Sequence, residues 1–240
     1  MKRSGAFTLI ELLVTIAVVG MLIGLMVPVL GVARCGARQA VCGSNLHQLG
    51  LGANLYLDDY DGRYWPYFSN VTGGRLWWFG FEPGGPNAGT NRPLDKTQSV
   101  LAPYLSTLDD RFQCPAFPYD DPAFFPKFDR RSASYGYNVD LVGDKQSQYV
   151  GRETGVFVFA DGVHFDQPNS FNEGHYVTYT PNTSVMSGYA HFRHMGIAQA
   201  VMMDGHVQKQ FLGGASHAVA GGSDAGNLAA PDGSSAIYGN

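Results

Sequence analysis

A single carboxylate, Glu11, stands at the mouth of an apolar run from Leu12 to Ala33, 22 residues without a charge. Inside lipid an ionised carboxylate costs roughly 2.5–3.5 kcal/mol, so a buried Glu11 needs a cationic partner; at the interface it is simply solvated. A second set of reactive side chains lies near the other end: His191, His194 and His206, with Asp161 and Asp204. Imidazoles and carboxylates suit a metal ion, but no ligand spacing is met, and hydrogen bonding around a turn is their plainer use. The cysteines are Cys35, Cys42 and Cys114. On one helix Cys35 and Cys42 are ~10.5 Å apart along the axis, beyond the ~7 Å limit for a bridge. Any disulfide that forms is predicted to join Cys42 to Cys114 and leave Cys35 free, and free buried thiols are the alternative. Asp58 to Gly62 resembles half a calcium loop, but no glutamate stands at the twelfth place, so a solvated turn is expected. The chain has no nucleophile elbow, zinc-protease pair, phosphate loop or dinucleotide fingerprint. Neither catalysis nor a cofactor is expected.

These groups need elements to hold them. Of 240 residues, 45% are hydrophobic and 15% charged, which excludes a disordered chain. The net charge of −4 offers no basic excess for a phosphate backbone, so nucleic acid is not an expected partner. As a helix the apolar run is ~33 Å long and matches a bilayer core of ~30 Å. Lys2 and Arg3 precede it, which favours a cytoplasmic N-terminus, while Arg34 and Arg38 beyond it oppose that orientation. A secretory signal cut near Gly31 to Ala33 is the competing reading. Pro28, with Gly20, Gly24 and Gly31 around it, is expected to kink or open the helix, or to let neighbouring helices pack closely.

Beyond Ala33 an apolar stripe continues through Cys35, Cys42, Leu46, Leu49, Ala53, Tyr56 and Leu57. One helix from about Phe7 to about Asp59, on the order of 80 Å long, is predicted. Tyr64, Trp65, Tyr67, Phe68, Trp77, Trp78, Phe79 and Phe81 then form a dense aromatic stretch. They are read as core filling rather than a platform for sugar rings, because nothing else there could bury comparable area. Residues 83–93 read as an exposed loop. Strands are predicted at about 134–141, 155–161, 176–179, 198–203 and 206–211, the last two joined at Asp204-Gly205, which implies an antiparallel sheet. Residues 213–240, rich in Gly, Ala and Ser, read as a mobile tail.

The string AFTLIELLV, Ala6 to Val14, resembles the prepilin cleavage and methylation motif of the type IV filament superfamily, the type IV pilins and type II secretion pseudopilins. The resemblance implies a leader of residues 1–6, a cut between Ala6 and Phe7, N-methylation of Phe7, and Glu11 as fifth mature residue pairing with a neighbouring subunit's amine. Glycine is the commoner residue before the cut, and a cut after Gly5 would make Glu11 sixth. Pro28 falls where pilins also tend to carry proline. Losing Lys2 and Arg3 takes the net charge from −4 to −6. RHMGIAQAVMMDGHV, with His194 nine residues before Asp204-Gly205, resembles the H-x9-DG signature of a large bacterial group of prepilin-like proteins. That group also tends to carry runs matched here by Cys42-Gly43-Ser44-Asn45-Leu46, Cys114-Pro115 and Ser134 to Asn138.

The resemblance therefore implies an α+β, pilin-like fold, a long N-terminal helix packed on a small antiparallel head. The expected divisions are leader 1–6, membrane and filament-core helix 7–33, amphipathic half 34–60, aromatic-rich region 61–132, sheet with the signature hairpin 133–212, and tail 213–240. It implies a structural subunit of a pilus or pseudopilus, with prepilin peptidase, other pilin subunits and, before assembly, membrane lipid as partners. The expected place is the bacterial inner membrane, single-pass, with the head outside the cytoplasm. The alternative function is an anchored or secreted binding protein, for glycan or metal, that does not polymerise.

Overall fold

The computed structural model describes residues 8–85, 90–105, 112–167, 170–177, 188–219 and 223–228. Helix α1 spans Leu9–Asp59, 51 residues or about 77 Å. It starts at Thr8, whose hydroxyl accepts the Glu11 amide while the Glu11 carboxylate accepts the Thr8 amide. This is a reciprocal cap that satisfies two otherwise orphan donors. The sequence Thr8-x-x-Glu11 carries that signal. Helical structure continues without a break through Pro28, so the proline does not open the helix. Its ring faces the carbonyl four residues back, on Gly24, where no side chain adds to the crowding.

All residues of α1 from Leu9 to Arg34 are exposed. Burial starts at Cys42 and follows Leu46, Leu49, Gly50, Ala53 and Leu57, the expected stripe shortened by Cys35, which is half-buried. The stripe lies against the head. A Cβ at Gly50 would come within 2.6 Å of the Val201 Cγ2. Gly50→Ala therefore forces a stiff valine aside, and overpacking of about 1–3 kcal/mol outweighs the ~1 kcal/mol gained in helix propensity. A lower urea midpoint for the variant is the expected result.

The head holds strands β1 (Phe68–Val71), β2 (Gly74–Trp77), β3 (Gly80–Pro83), β4 (Tyr135–Asn138), β5 (Phe157–Gln167) and β6 (Ser170–Glu173). It continues with β7 (Tyr176–Val177), β8 (Gly188–Phe192), β9 (Ala198–Met202), β10 (Val207–Gln210), β11 (Leu212–Val219) and β12 (Ser223–Leu228). The first three make a small meander, and the others share one sheet with the order β10-β9-β5-β8-β12-β11. The long β5 is its hub, pairing with β9 and β4 through its first half and with β8 and β6 through its second.

Pairing is antiparallel except between β4 and β7, which run parallel, a departure from the purely antiparallel sheet expected. A second departure concerns residues from 213 onward. Composition suggested a mobile tail, yet β11 and β12 form a hairpin and β12 pairs with β8. Backbone ladders need no apolar side chains, so small residues that cannot build a core can still extend a sheet. Residues 229–240 lie outside the described residues.

The aromatic stretch fills the space between α1 and the sheet. Trp65, Trp78 and Phe79 are buried; Trp65 stacks on Tyr137 with ring centres 4.8 Å apart, and Trp78 meets Phe159 at 5.0 Å. Phe68 is an exception, exposed on β1 with the Arg75 guanidinium 4.2 Å over its ring.

Candidate functional site

Two places gather the residues singled out in the sequence. The first is the start of α1. Ala6 and Phe7, the proposed processing residues, lie outside the described residues, whereas Glu11 stands exposed on the first turn. Thr8 donates to Glu11 Oε2 through both its amide and its hydroxyl, each at 2.8 Å. From there the apolar exposed surface runs to Arg34 and is long enough to cross a membrane.

The second is the junction between α1 and the head. Cys42 and Cys114 are joined by a disulfide, with Cα atoms 5.1 Å apart, and Cys35 is free. The Cys114 amide donates to Ser134 Oγ at 2.7 Å, and Asn45 Nδ2 donates to the Gln113 carbonyl at 3.0 Å. His194 Nε2 lies 3.5 Å from Cys114 Sγ and 3.3 Å from Asp161 Oδ2. Asp161 Oδ2 also accepts the Gln199 amide at 2.8 Å. The Arg193 guanidinium sits 3.4 Å from Asp161 Oδ1 and donates to the carbonyls of Ser134 and Gly162. All these charged groups are buried, which ion pairs survive only when paired and hydrogen-bonded. The Cys-Gly-Ser-Asn-Leu, Cys-Pro, Ser-Tyr-Gly-Tyr-Asn and His194 segments thus converge at one place.

Asp204-Gly205 makes the turn between β9 and β10, with Gly205 at φ 88°, where an L side chain would be strained. The Asp204 carboxylate accepts the His206 amide at 3.1 Å and lies 2.6 Å from His206 Nδ1. The Gly205 carbonyl lies 2.9 Å from His47 Nδ1, so the turn is held against α1. The metal set considered in the sequence does not assemble. His194 and Asp161 are in the buried junction, His206 and Asp204 are on the exposed turn, and His191 packs edge-on against Phe117. Among the described residues the group that could hold a metal is instead Cys42, Cys114 and His194. The acidic cluster after α1 is engaged by the protein itself: Asp61 pairs with Lys145, and Asp59 accepts the Tyr104 hydroxyl at 2.7 Å.

Sequence reasoning missed a third cluster. Ser132 Oγ lies 2.6 Å from Glu173 Oε2 and 2.6 Å from His175 Nε2, and all three residues are buried. The hydroxyl donates to the carboxylate and accepts from the imidazole N–H, the tautomer that satisfies all three groups. A hydrolase places the histidine between serine and acid; here the serine is in the middle and sealed from solvent, so the cluster is a buried brace. Its members are 41 and 43 residues apart in the chain, and no local pattern links them.

Burial holds His175 well below its usual value, helped by the Lys127, His164 and Arg92 charges, and burial also lowers His191, beside Arg193 and His194. Burial raises Glu173. For both histidines the unfolded chain takes up protons below about pH 6.5 that the folded chain refuses, so stability falls as pH drops from there. Each contributes a slope of about 1.4 kcal/mol per pH unit while only the unfolded form is protonated. Glu173 acts in the opposite direction, its stabilisation being lost as pH rises through its elevated folded value. Two histidines outweigh one glutamate, so the urea midpoint falls from pH 7 to pH 5, and His175→Gln flattens that fall. An unchanged midpoint over this range would refute the assignment of both histidines as neutral.

A long helix docked on an α+β head at its end gives a pilin-like layout, and the uncovered apolar start of that helix is long enough to cross a membrane. Residues 1–27 match the family model described as the prokaryotic N-terminal methylation motif, which supports a likeness to the substrates of the type IV pilin and pseudopilin superfamily. No curated protein and no solved structure matches the chain.

Proposed function

We propose that the chain is a structural subunit of a type IV pilus or type II secretion pseudopilus, cut between Ala6 and Phe7 by prepilin peptidase and methylated on the new amine. Before assembly α1 crosses the inner membrane with the head outside the cytoplasm. In the filament the Glu11 carboxylate pairs with the Phe7 amine of a neighbouring subunit. The observation that carries this reading is a lone carboxylate, inside the methylation motif, at the head of an uncovered apolar helix. Thr8 engages Oε2 alone, which leaves Oε1 for a neighbour's cation. Leu51 and Leu55, exposed on the docked half of α1, extend the apolar surface that packed helices would cover.

Pro28 supports the same reading. A helix already lacking one backbone hydrogen bond there has one bond fewer to break if it opens locally as it moves from lipid into a filament. Mass spectrometry of the membrane-extracted chain tests the processing step. Methylated Phe7 at the N-terminus is expected; an intact Met1 marks a permanent membrane protein, and a start near Arg34 marks a secreted one.

A further inference from the structure

We propose that, when its disulfide is reduced, the helix–head junction is a zinc site with Cys42, Cys114, His194 and Asp161 as ligands. The Cys42 and Cys114 sulfurs and the His194 nitrogen lie within 4.8 Å of one another. Tetrahedral zinc has bonds of about 2.0–2.2 Å to nitrogen and oxygen and about 2.3 Å to sulfur, which puts ligand–ligand edges near 3.3 Å for N···O and 3.5 Å for N···S. His194 Nε2 is 3.3 Å from Asp161 Oδ2 and 3.5 Å from Cys114 Sγ, so two edges of that tetrahedron already exist. Asp161 lies outside that close group of three, so two adjustments complete the tetrahedron: cleavage of the S–S bond lets the sulfurs part, and the Asp161 carboxylate closes on them.

A thiol or phosphine reductant supplies two electrons, the S–S bond breaks, and two protons complete the thiols. Zinc then displaces both thiol protons to solvent and binds two thiolates, one carboxylate and one neutral imidazole. That set carries one negative charge more than the ion neutralises, and the buried Arg193 guanidinium beside Asp161 Oδ1 offsets it. Arg193 and the Gln199 amide also fix the Asp161 carboxylate, as supporting partners do around structural metal sites. Entry runs through a recess of about 510 Å³ lined by Asn45, Gln113, Cys114, Phe117, Tyr119 and Arg131. The junction then has two states, a covalent staple under oxidising conditions and a metal staple under reducing ones.

The test uses the full chain in detergent with Cys35→Ser, so that only two thiols remain. After phosphine reduction under anoxia it is titrated with zinc against a chromophoric chelator, and with cobalt. One equivalent of zinc for the reduced chain, none for the oxidised chain, and visible bands of tetrahedral thiolate-bound cobalt are expected. Asp161→Asn and His194→Gln, purified oxidised so that the disulfide reports folding, each bind at least about 10-fold more weakly. X-ray absorption on the parent, which requires no variant in the site, should show two sulfur and two nitrogen or oxygen neighbours. Absence of stoichiometric uptake, equal uptake by the oxidised chain, or a zinc shell without nitrogen or oxygen ligands would overturn the proposal.

Discussion

Glu11→Ala yields a chain that is still cut and methylated at Phe7 but remains in the membrane and does not enter filaments. Removing one member of a buried ion pair strands the other, and an uncompensated buried charge costs about 3–5 kcal/mol. At 1.4 kcal/mol per decade this lowers the constant for adding each subunit by roughly 100- to 4,000-fold. Glu11 also caps α1, and the alanine variant loses both roles. Glu11→Gln separates them, because glutamine at the third helical position still closes the cap while carrying no charge. Both variants should leave sheared surface fractions empty of the chain while the membrane fraction keeps it. Filaments at parental yield from Glu11→Gln would reduce the residue to a helix cap.

Loss of the disulfide should produce the largest change in the stability of the folded head. Cys42 and Cys114 are 72 residues apart, and closing a loop of that size in the unfolded chain corresponds to about 4 kcal/mol in the chain-entropy account. Cys114→Ser should therefore lower the melting temperature by on the order of 10 °C. The loss falls where α1 meets the head, since the bridge ties a helix residue to the loop before β4. Proteolysis between α1 and the sheet should accelerate with it. Cys35→Ser, on a half-buried thiol outside the bridge, should shift the melting temperature little.

The sequence was most informative where one residue type can satisfy only one environment. An uncharged run of 22 residues is long enough for a membrane-crossing helix, and the seven-residue recurrence through Cys42, Leu49 and Tyr56 marks a helix face. The Asp204-Gly205 pair announced its hairpin because Gly205 alone there accepts a positive φ without strain. The β1-β2-β3 meander was hidden because its four-residue strands, FSNV, GRLW and GFEP, show none of the alternation that marks a half-buried sheet. The hairpin of β11 and β12 was hidden because its sequences, LGGASHAV and SDAGNL, carry no apolar–polar alternation. The parallel pairing of β4 with β7 depends on the path of the chain between them, to which local pattern is blind.

At the junction the individual residues were visible but their company was not. Asp161 and His194 were grouped with His206 and Asp204 because the hairpin brings these close in sequence or strand order. His194 instead sits in the turn between β8 and β9, from which it reaches Cys114, while His206 stays on the turn between β9 and β10. The Thr8-x-x-Glu11 cap was written in four consecutive residues, yet the electrostatic question about Glu11 obscured it.

Cryo-electron microscopy of sheared surface filaments tests the account most directly. It predicts this chain in the filament, α1 in the core, and the methylated Phe7 nitrogen of one subunit within ~4 Å of the Glu11 carboxylate of the next. Filaments that lack the chain, or a Glu11 that faces solvent with no cation beside it, would contradict the account.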